Sequence, residues 1–158
     1  MIKSIFLLVL IRENIVKNCL QILNAKTHKA LISIAPNRPV FDALVILAEY
    51  KIGALAVMDG DKLVGIFSER DYAREVVLQG RSSKTTKISE VMTAKVLTAA
   101  PDDLVDACMS MMSDKRIRHL PVLDNDKVLG MLSLGDFVKE TISYQQKLIG
   151  ELESYIKG

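Results

Sequence analysis

The chain writes one sentence twice. Residues 51–71 (KIGALAVMDGDKLVGIFSERD) and 116–136 (RIRHLPVLDNDKVLGMLSLGD) align without a gap at a spacing of 65 residues. Across the wider windows 35–75 and 100–140 the identities include Pro36/Pro101, Ile52/Ile117, Leu55/Leu120, Asp59/Asp124, Gly65/Gly130, Ser68/Ser133 and Asp71/Asp136. Two copies are too few to build a solenoid, whose units need neighbours on both sides. A closed pair about a pseudo-two-fold axis is expected instead, with equivalent residues of both halves meeting at a shared surface.

Each copy reads as the same series of elements. Leu31–Ile34 is a short apolar run stopped by Ala-Pro, and Pro39 suits the first turn of the helix that carries Val40, Leu44, Leu47 and Ala48. Ala54–Met58 is a buried strand, Asp59-Gly60 a hairpin turn, Lys62–Phe67 the returning strand, and a helix follows over 69–78. The polar segment 80–87 (GRSSKTTK) reads as a flexible linker. A helical turn over Ser89–Met92 leads into Val96–Thr98, after which the order repeats: helix 103–115, strand 119–123, turn Asp124-Asn125, strand 127–132 and a helix from 134. The expected fold class is α/β (α+β), with two β-α-β-β-α motifs over 15–83 and 84–145. An apolar extension (1–14) precedes them and a helix (146–158) follows. In that tail Leu148, Leu152, Tyr155 and Ile156 share a face, which suggests packing against a second subunit. Ile15–Lys26 has helical spacing, with Val16, Cys19, Leu20, Ile22 and Leu23 on one side.

Several functions are excluded by composition. A net charge of +2, with basic residues spread among acidic ones, provides no stripe for nucleic acid. The apolar run Ser4–Ile11 is too short to span a bilayer. It meets Arg12 and Glu13 without a small-residue cleavage site, unlike a secretory leader. It reads as a helix or strand packed on the domain or a partner, or otherwise as a loose tail. No membrane association and a cytoplasmic location are expected. Cys19 and Cys108 sit in apolar periodic stretches and read as buried thiols. His28 and His119 have no cysteine or histidine cluster around them, so no metal is expected. No nucleophile–base set and no Walker loop is present, so no enzyme is expected.

The strings VFDAL (40–44) and VDA (105–107), IGALAVMD and IRHLPVLD, then GIFSERD and GMLSLGD, in order and in duplicate, resemble a tandem CBS-domain pair (Bateman module). The resemblance covers about residues 15–145 and is greatest to stand-alone bacterial pairs, with SERDYAR in the first copy and KRIRHLPV in the second. It implies an adenine nucleotide, NAD or AMP foremost and ATP or ADP also, in the cleft between the motifs. It also implies a disc-like homodimer and a sensor that regulates an effector protein the sequence does not name. The alternative is a dimeric interaction scaffold with a vestigial cleft.

The residues at the repeated positions suit that ligand. A strand ending at Ser68 and a helix starting there expose unpaired backbone N–H groups to a phosphate. Ser68 can add its hydroxyl, and Asp71 can accept from two ribose hydroxyls; Ser133 and Asp136 repeat the arrangement. Ser-x-x-Asp at a helix start is equally a capping box. Ala54 and Ala56 leave room for a flat base, with His119 and Pro121 on the matching strand, or else simply pack. Arg70, Arg118 and His119 are candidate phosphate cations. In the family, the positions of Ile34 and Thr98 contact base or sugar. The first copy carries Gly53-Ala54 where the second carries Arg118-His119, so the halves are electrostatically unequal. That inequality favours one stronger phosphate pocket, or one dinucleotide such as NAD across both.

Overall fold

Duplicated strings produce duplicated hairpins and duplicated helix ends. The structure is a computed structural model that describes residues 1–27 and 30–158, and for residues 11–15 the backbone alone. His28, and the side chains of Arg12, Glu13 and Ile15 noted above, therefore lie outside the described residues. The elements run α1 (Ile2–Ile15), α2 (Cys19–Ala25), β1 (Ser33–Ile34), α3 (Val40–Tyr50), β2 (Ala54–Asp59), β3 (Lys62–Ser68) and α4 (Glu69–Asp71). A wider π-helical stretch (Tyr72–Val77) continues α4, followed by α5 (Ile88–Val91), α6 (Val105–Lys115), β4 (His119–Asp124), β5 (Lys127–Ser133) and α7 (Leu134–Lys157).

The repeat is visible in the backbone. Helices α3 and α6 both end on a left-handed residue, Lys51 and Arg116, each at φ 54°. In both, the next N–H bonds back into the helix: Ile52 to Leu47 O at 3.1 Å and Ile117 to Met112 O at 3.0 Å. The second hairpin turns through Asn125 and Asp126, both at positive φ, which is the backbone of a two-residue turn whose twist matches its strands. Gly60 supplies the positive φ of the first turn.

The chain forms two compact units, Met1–Thr27 with Ala99–Leu120 and Leu132–Gly158, and His28–Thr98 with Pro121–Met131. In the second unit β1 pairs parallel with β2, and β2 antiparallel with β3, with Ser33↔Ala56, Ala54↔Ser68 and Ala56↔Ile66 in register. Its core gathers Ile34, Val40, Leu47, Leu55, Val57, Phe67, Val76, Ile88 and Val91. In the first unit Cys19, Ile22, Val105, Cys108, Met112, Leu120, Leu132 and Phe137 are buried. There α7 packs on α6, and α1 lies along α7. The apolar extension is thus a helix against its own chain, yet Ile2, Ile5, Phe6, Leu8 and Val9 remain exposed.

The two short helices are crossed over. Helix α5 lies between the repeats in sequence, but it binds the turn that opens the first: Ile88 N–H donates to Arg38 O, and Ser89 N–H to Pro36 O, both at 2.9 Å. Helix α2 precedes the first repeat and binds the same turn of the second. There Cys19 N–H donates to Asp103 O and Leu20 N–H to Pro101 O, also at 2.9 Å.

Three expectations need correction. Residues 80–87 are not a free linker: Thr86 is buried, Val40 N–H donates to Thr86 O and Phe41 N–H to Ser83 O, both at 2.8 Å. Pro39, at the N-cap, makes no side-chain cap bond to α3, so this segment satisfies the helix's orphan donors. The helix over 69–78 is a short α-turn followed by π geometry, with Leu78 N–H reaching Ala73 O. Val96–Thr98 forms no strand; Leu97 and Thr98 are exposed, leaving too little apolar surface to hold a ladder, and even β1 is two residues long.

Candidate functional site

Each copy delivers a strand into a helix through a serine. In the second unit, Glu69 N–H donates to Gly53 O at 3.1 Å, and in the first, Leu134 N–H donates to Arg118 O at 2.8 Å. Asp71 N–H reaches Ser68 Oγ at 3.2 Å while Asp71 Oδ2 accepts from Ser68 N–H and from Ser68 Oγ, both at 2.9 Å. Ser133 and Asp136 reproduce these three bonds at 3.3, 2.8 and 3.0 Å. Both capping boxes are therefore formed. They order the first turn of each helix and, with the Glu69 and Leu134 bonds, engage most of its orphan N–H donors.

The copies differ in what else holds the carboxylate. Thr93 Oγ1 donates to Asp71 Oδ1 at 3.2 Å, so both oxygens of Asp71 are engaged. Asp136 takes Lys26 Nζ at 3.0 Å on Oδ2, the oxygen that also receives both Ser133 donors. Its Oδ1 keeps its accepting capacity among the described residues. Burial pushes the Asp136 carboxyl up, but the Ser133 N–H and the Lys26 ammonium together outweigh it and hold the pKa below the ordinary value.

The first unit also has an open groove of about 570 Å³ at this helix start, lined by Arg118, His119, Ser133, Leu134, Gly135, Val138, Lys139 and Ile142. Two full cations and a histidine thus share a concavity with the first turn of α7, an arrangement suited to an anion. The structure brings Arg118, His119 and Ser133 together here, with Asp136 bonded to Ser133. Thr98, which is exposed, and Pro121, which is buried on β4, do not line the groove. Ile34, Ala54, Ala56, Ser68, Arg70 and Asp71 belong to the second unit. Of these, Ile34, Ala54 and Ala56 are buried within its sheet and Arg70 is exposed on α4.

Sequence reasoning missed Lys26, Thr93 and Lys139. Lys139 had a signal, since it follows Gly135 by one helical turn and so shares its face. Lys26 and Thr93 lie 110 and 22 residues from their aspartates, and nothing local marks them. Among the described residues no group of three or more His, Cys, Asp and Glu could hold a metal ion, and no helix is long and apolar enough to cross a membrane.

Residues 23–78 and 88–143 each match the CBS domain, and the chain belongs to that family. A protein with CBS domains from Burkholderia ambifaria MC40-6 is 49% identical in sequence, with a TM-score of 0.78 over 80% of this chain and 95% of that one. The mitochondrial CBS domain-containing protein CBSX3 of Arabidopsis thaliana is 39% identical over 75% of this chain; the match spans 60% of that relative's length. The CBS domain pair of protein MJ0100 is 30% identical, with a TM-score of 0.70 over 78% of this chain and 94% of that pair. That pair was solved in complex with 5′-methylthioadenosine and S-adenosyl-L-methionine. The chain is therefore a CBS-domain pair.

Proposed function

We propose that this pair is an adenine-nucleotide sensor that regulates a partner in trans, and that its stronger site is the groove at the start of α7. One observation carries the reading: the repeated Ser/Asp helix start is combined, in this copy, with Arg118, His119 and Lys139 in one concavity. The cations receive the phosphate at the start of α7, and Asp136 Oδ1 accepts from the ribose. The adenosine moiety common to both ligands of the MJ0100 pair supports the class of ligand. NAD and AMP are the preferred nucleotides, and the ligand acts by favouring the conformation it binds better.

Calorimetric titration of nucleotide-stripped protein with AMP, ATP and NAD tests this. Binding of at least one is expected. Arg118→Ala should cost more affinity as phosphate charge increases, and an equal loss for adenosine and AMP would remove Arg118 from the phosphate site. No heat with all three, together with no ligand-dependent gain in thermal stability, would leave the scaffold as the better reading.

A further inference from the structure

The chain's two cysteines meet although they lie 89 positions apart in sequence. Cys19 opens α2 and Cys108 lies on α6. Both are fully buried in the same unit, and their Sγ atoms stand 3.5 Å apart. A disulfide needs about 2.05 Å, so the sulfurs must close by about 1.5 Å, which small rotations of the two side chains can share. Helix α2 is attached by few bonds. It has seven residues, too few to persist as a helix alone, and its buried face is Cys19, Ile22 and Leu23. The Asn18 capping box, the two backbone bonds to Asp103 and Pro101, and the part-exposed ion pairs Lys17–Glu140 and Lys26–Asp136 hold it in place. Release of α2 exposes Cys19, and docking hides it. In the docked state burial pushes both thiols up, which keeps them protonated and unreactive.

We propose that Cys19 and Cys108 form a redox-operated lock that fastens α2 to α6, closed by a hydroperoxide. Local opening of α2 carries Cys19 into water, where its thiol regains ordinary acidity. The Cys19 thiolate attacks the terminal oxygen of the hydroperoxide. The O–O bond breaks, an alcohol (or water, from hydrogen peroxide) leaves with a proton, and Cys19 becomes a sulfenic acid. Redocking of α2 returns that sulfur to contact with Cys108. The Cys108 sulfur attacks it, the S–O bond breaks, and water leaves with the Cys108 proton. In sum, two thiols and one hydroperoxide become one disulfide, one alcohol and one water. The bond joins the two elements that the backbone contacts of α2 already bring together, so it fixes the docked state. Oxidation and release of α2 are thereby mutually exclusive, and a thiol reductant reopens the lock.

The test treats the full, reduced chain with hydrogen peroxide under native conditions. Intact mass should show each chain lighter by two hydrogens, and a peptide map should join residue 19 to residue 108. Because the bond closes a long loop, Tm should rise by about 5 °C or more, and a thiol reductant should reverse the rise. Asn18→Ala removes the cap of α2 but neither cysteine; by opening α2 more often it should speed disulfide formation about fivefold. Cys108→Ala should stop at the Cys19 sulfenic acid, which dimedone labels. Failure of the native chain to form the internal disulfide, a rate unaltered by Asn18→Ala, an oxidised chain with no gain in Tm, or no dimedone label on Cys19 in Cys108→Ala would each overturn the proposal.

Discussion

Replacing Asp136 by asparagine isolates what its charge contributes. The carboxylate accepts from Ser133 N–H at 2.8 Å, from Ser133 Oγ at 3.0 Å and from Lys26 at 3.0 Å. Asparagine is nearly isosteric, so it leaves no cavity and keeps one neutral acceptor. Hydrogen bonds to a charged group are about twice as strong as neutral ones, and a partly exposed ion pair contributes about 0–1 kcal/mol. With side-chain exposures of 29% for Lys26 and 21% for Asp136, the combined loss at neutral pH is about 1–2 kcal/mol. For a chain of this size that lowers Tm by about 2–8 °C. The pH dependence is the sharper signature. Because the folded pKa is depressed, the stabilisation is fully present above the unfolded value of about 3.9 and is lost as pH falls through the folded one. Thermal melts of both proteins from pH 7 to pH 3 should therefore show a gap that is constant near neutrality and closes at the acid end. A gap of unchanged size at pH 3 would refute the claim that the ionised carboxylate holds this helix start.

Three further outcomes are expected. A Cβ at Gly65 would lie 2.6 Å from Met92 Sδ and 3.0 Å from Thr93 O. Thr93 is tied to Ile66 by backbone bonds of 2.8 and 2.9 Å and cannot retreat cheaply. Gly65→Ala should thus cost about 1–3 kcal/mol in a denaturant titration, and Met92→Ala should rescue it only in part. Phe137, fully buried under α7, should cost about 3–5 kcal/mol on truncation to alanine; a loss below 1 kcal/mol would mean the site is not packed as described. Cys19 and Cys108, with Sγ atoms 3.5 Å apart and thiol pKa values pushed up by burial, should react with a thiol reagent at pH 8 far more slowly in the folded than in the unfolded chain.

What the sequence made legible was whatever two copies could say together. Ser68 and Ser133, read alone, are ordinary caps; read in register they mark equivalent strand-to-helix junctions, and the hydrogen bonds repeat residue for residue. Hairpins were legible because Gly60 and Asn125 have turn chemistry that local patterning detects. The segment 80–87 was misread because polar composition signals solvent exposure, whereas its carbonyls are needed at the uncapped start of α3. Lys26 beside Asp136 was invisible because nothing in a chain's local pattern states which distant ammonium will complete a carboxylate. The size of Ala54 and Ala56 suits either a base slot or plain packing; their burial in the β1–β2–β3 sheet is decided by register with Ser33, Ile66 and Ser68, which size does not encode.

The crossing of α2 and α5 makes the halves mutually dependent pieces rather than separable modules. A protease cut within residues 80–87 would release an N-terminal piece that holds α2 but lacks α5, and a C-terminal piece that holds α5 but lacks α2. Each fragment would carry the clasp that fits the other. Such a nicked chain should stay associated under native conditions, and the two pieces expressed apart should be poorly folded until mixed, which makes this junction a natural place to split the protein into a complementing reporter.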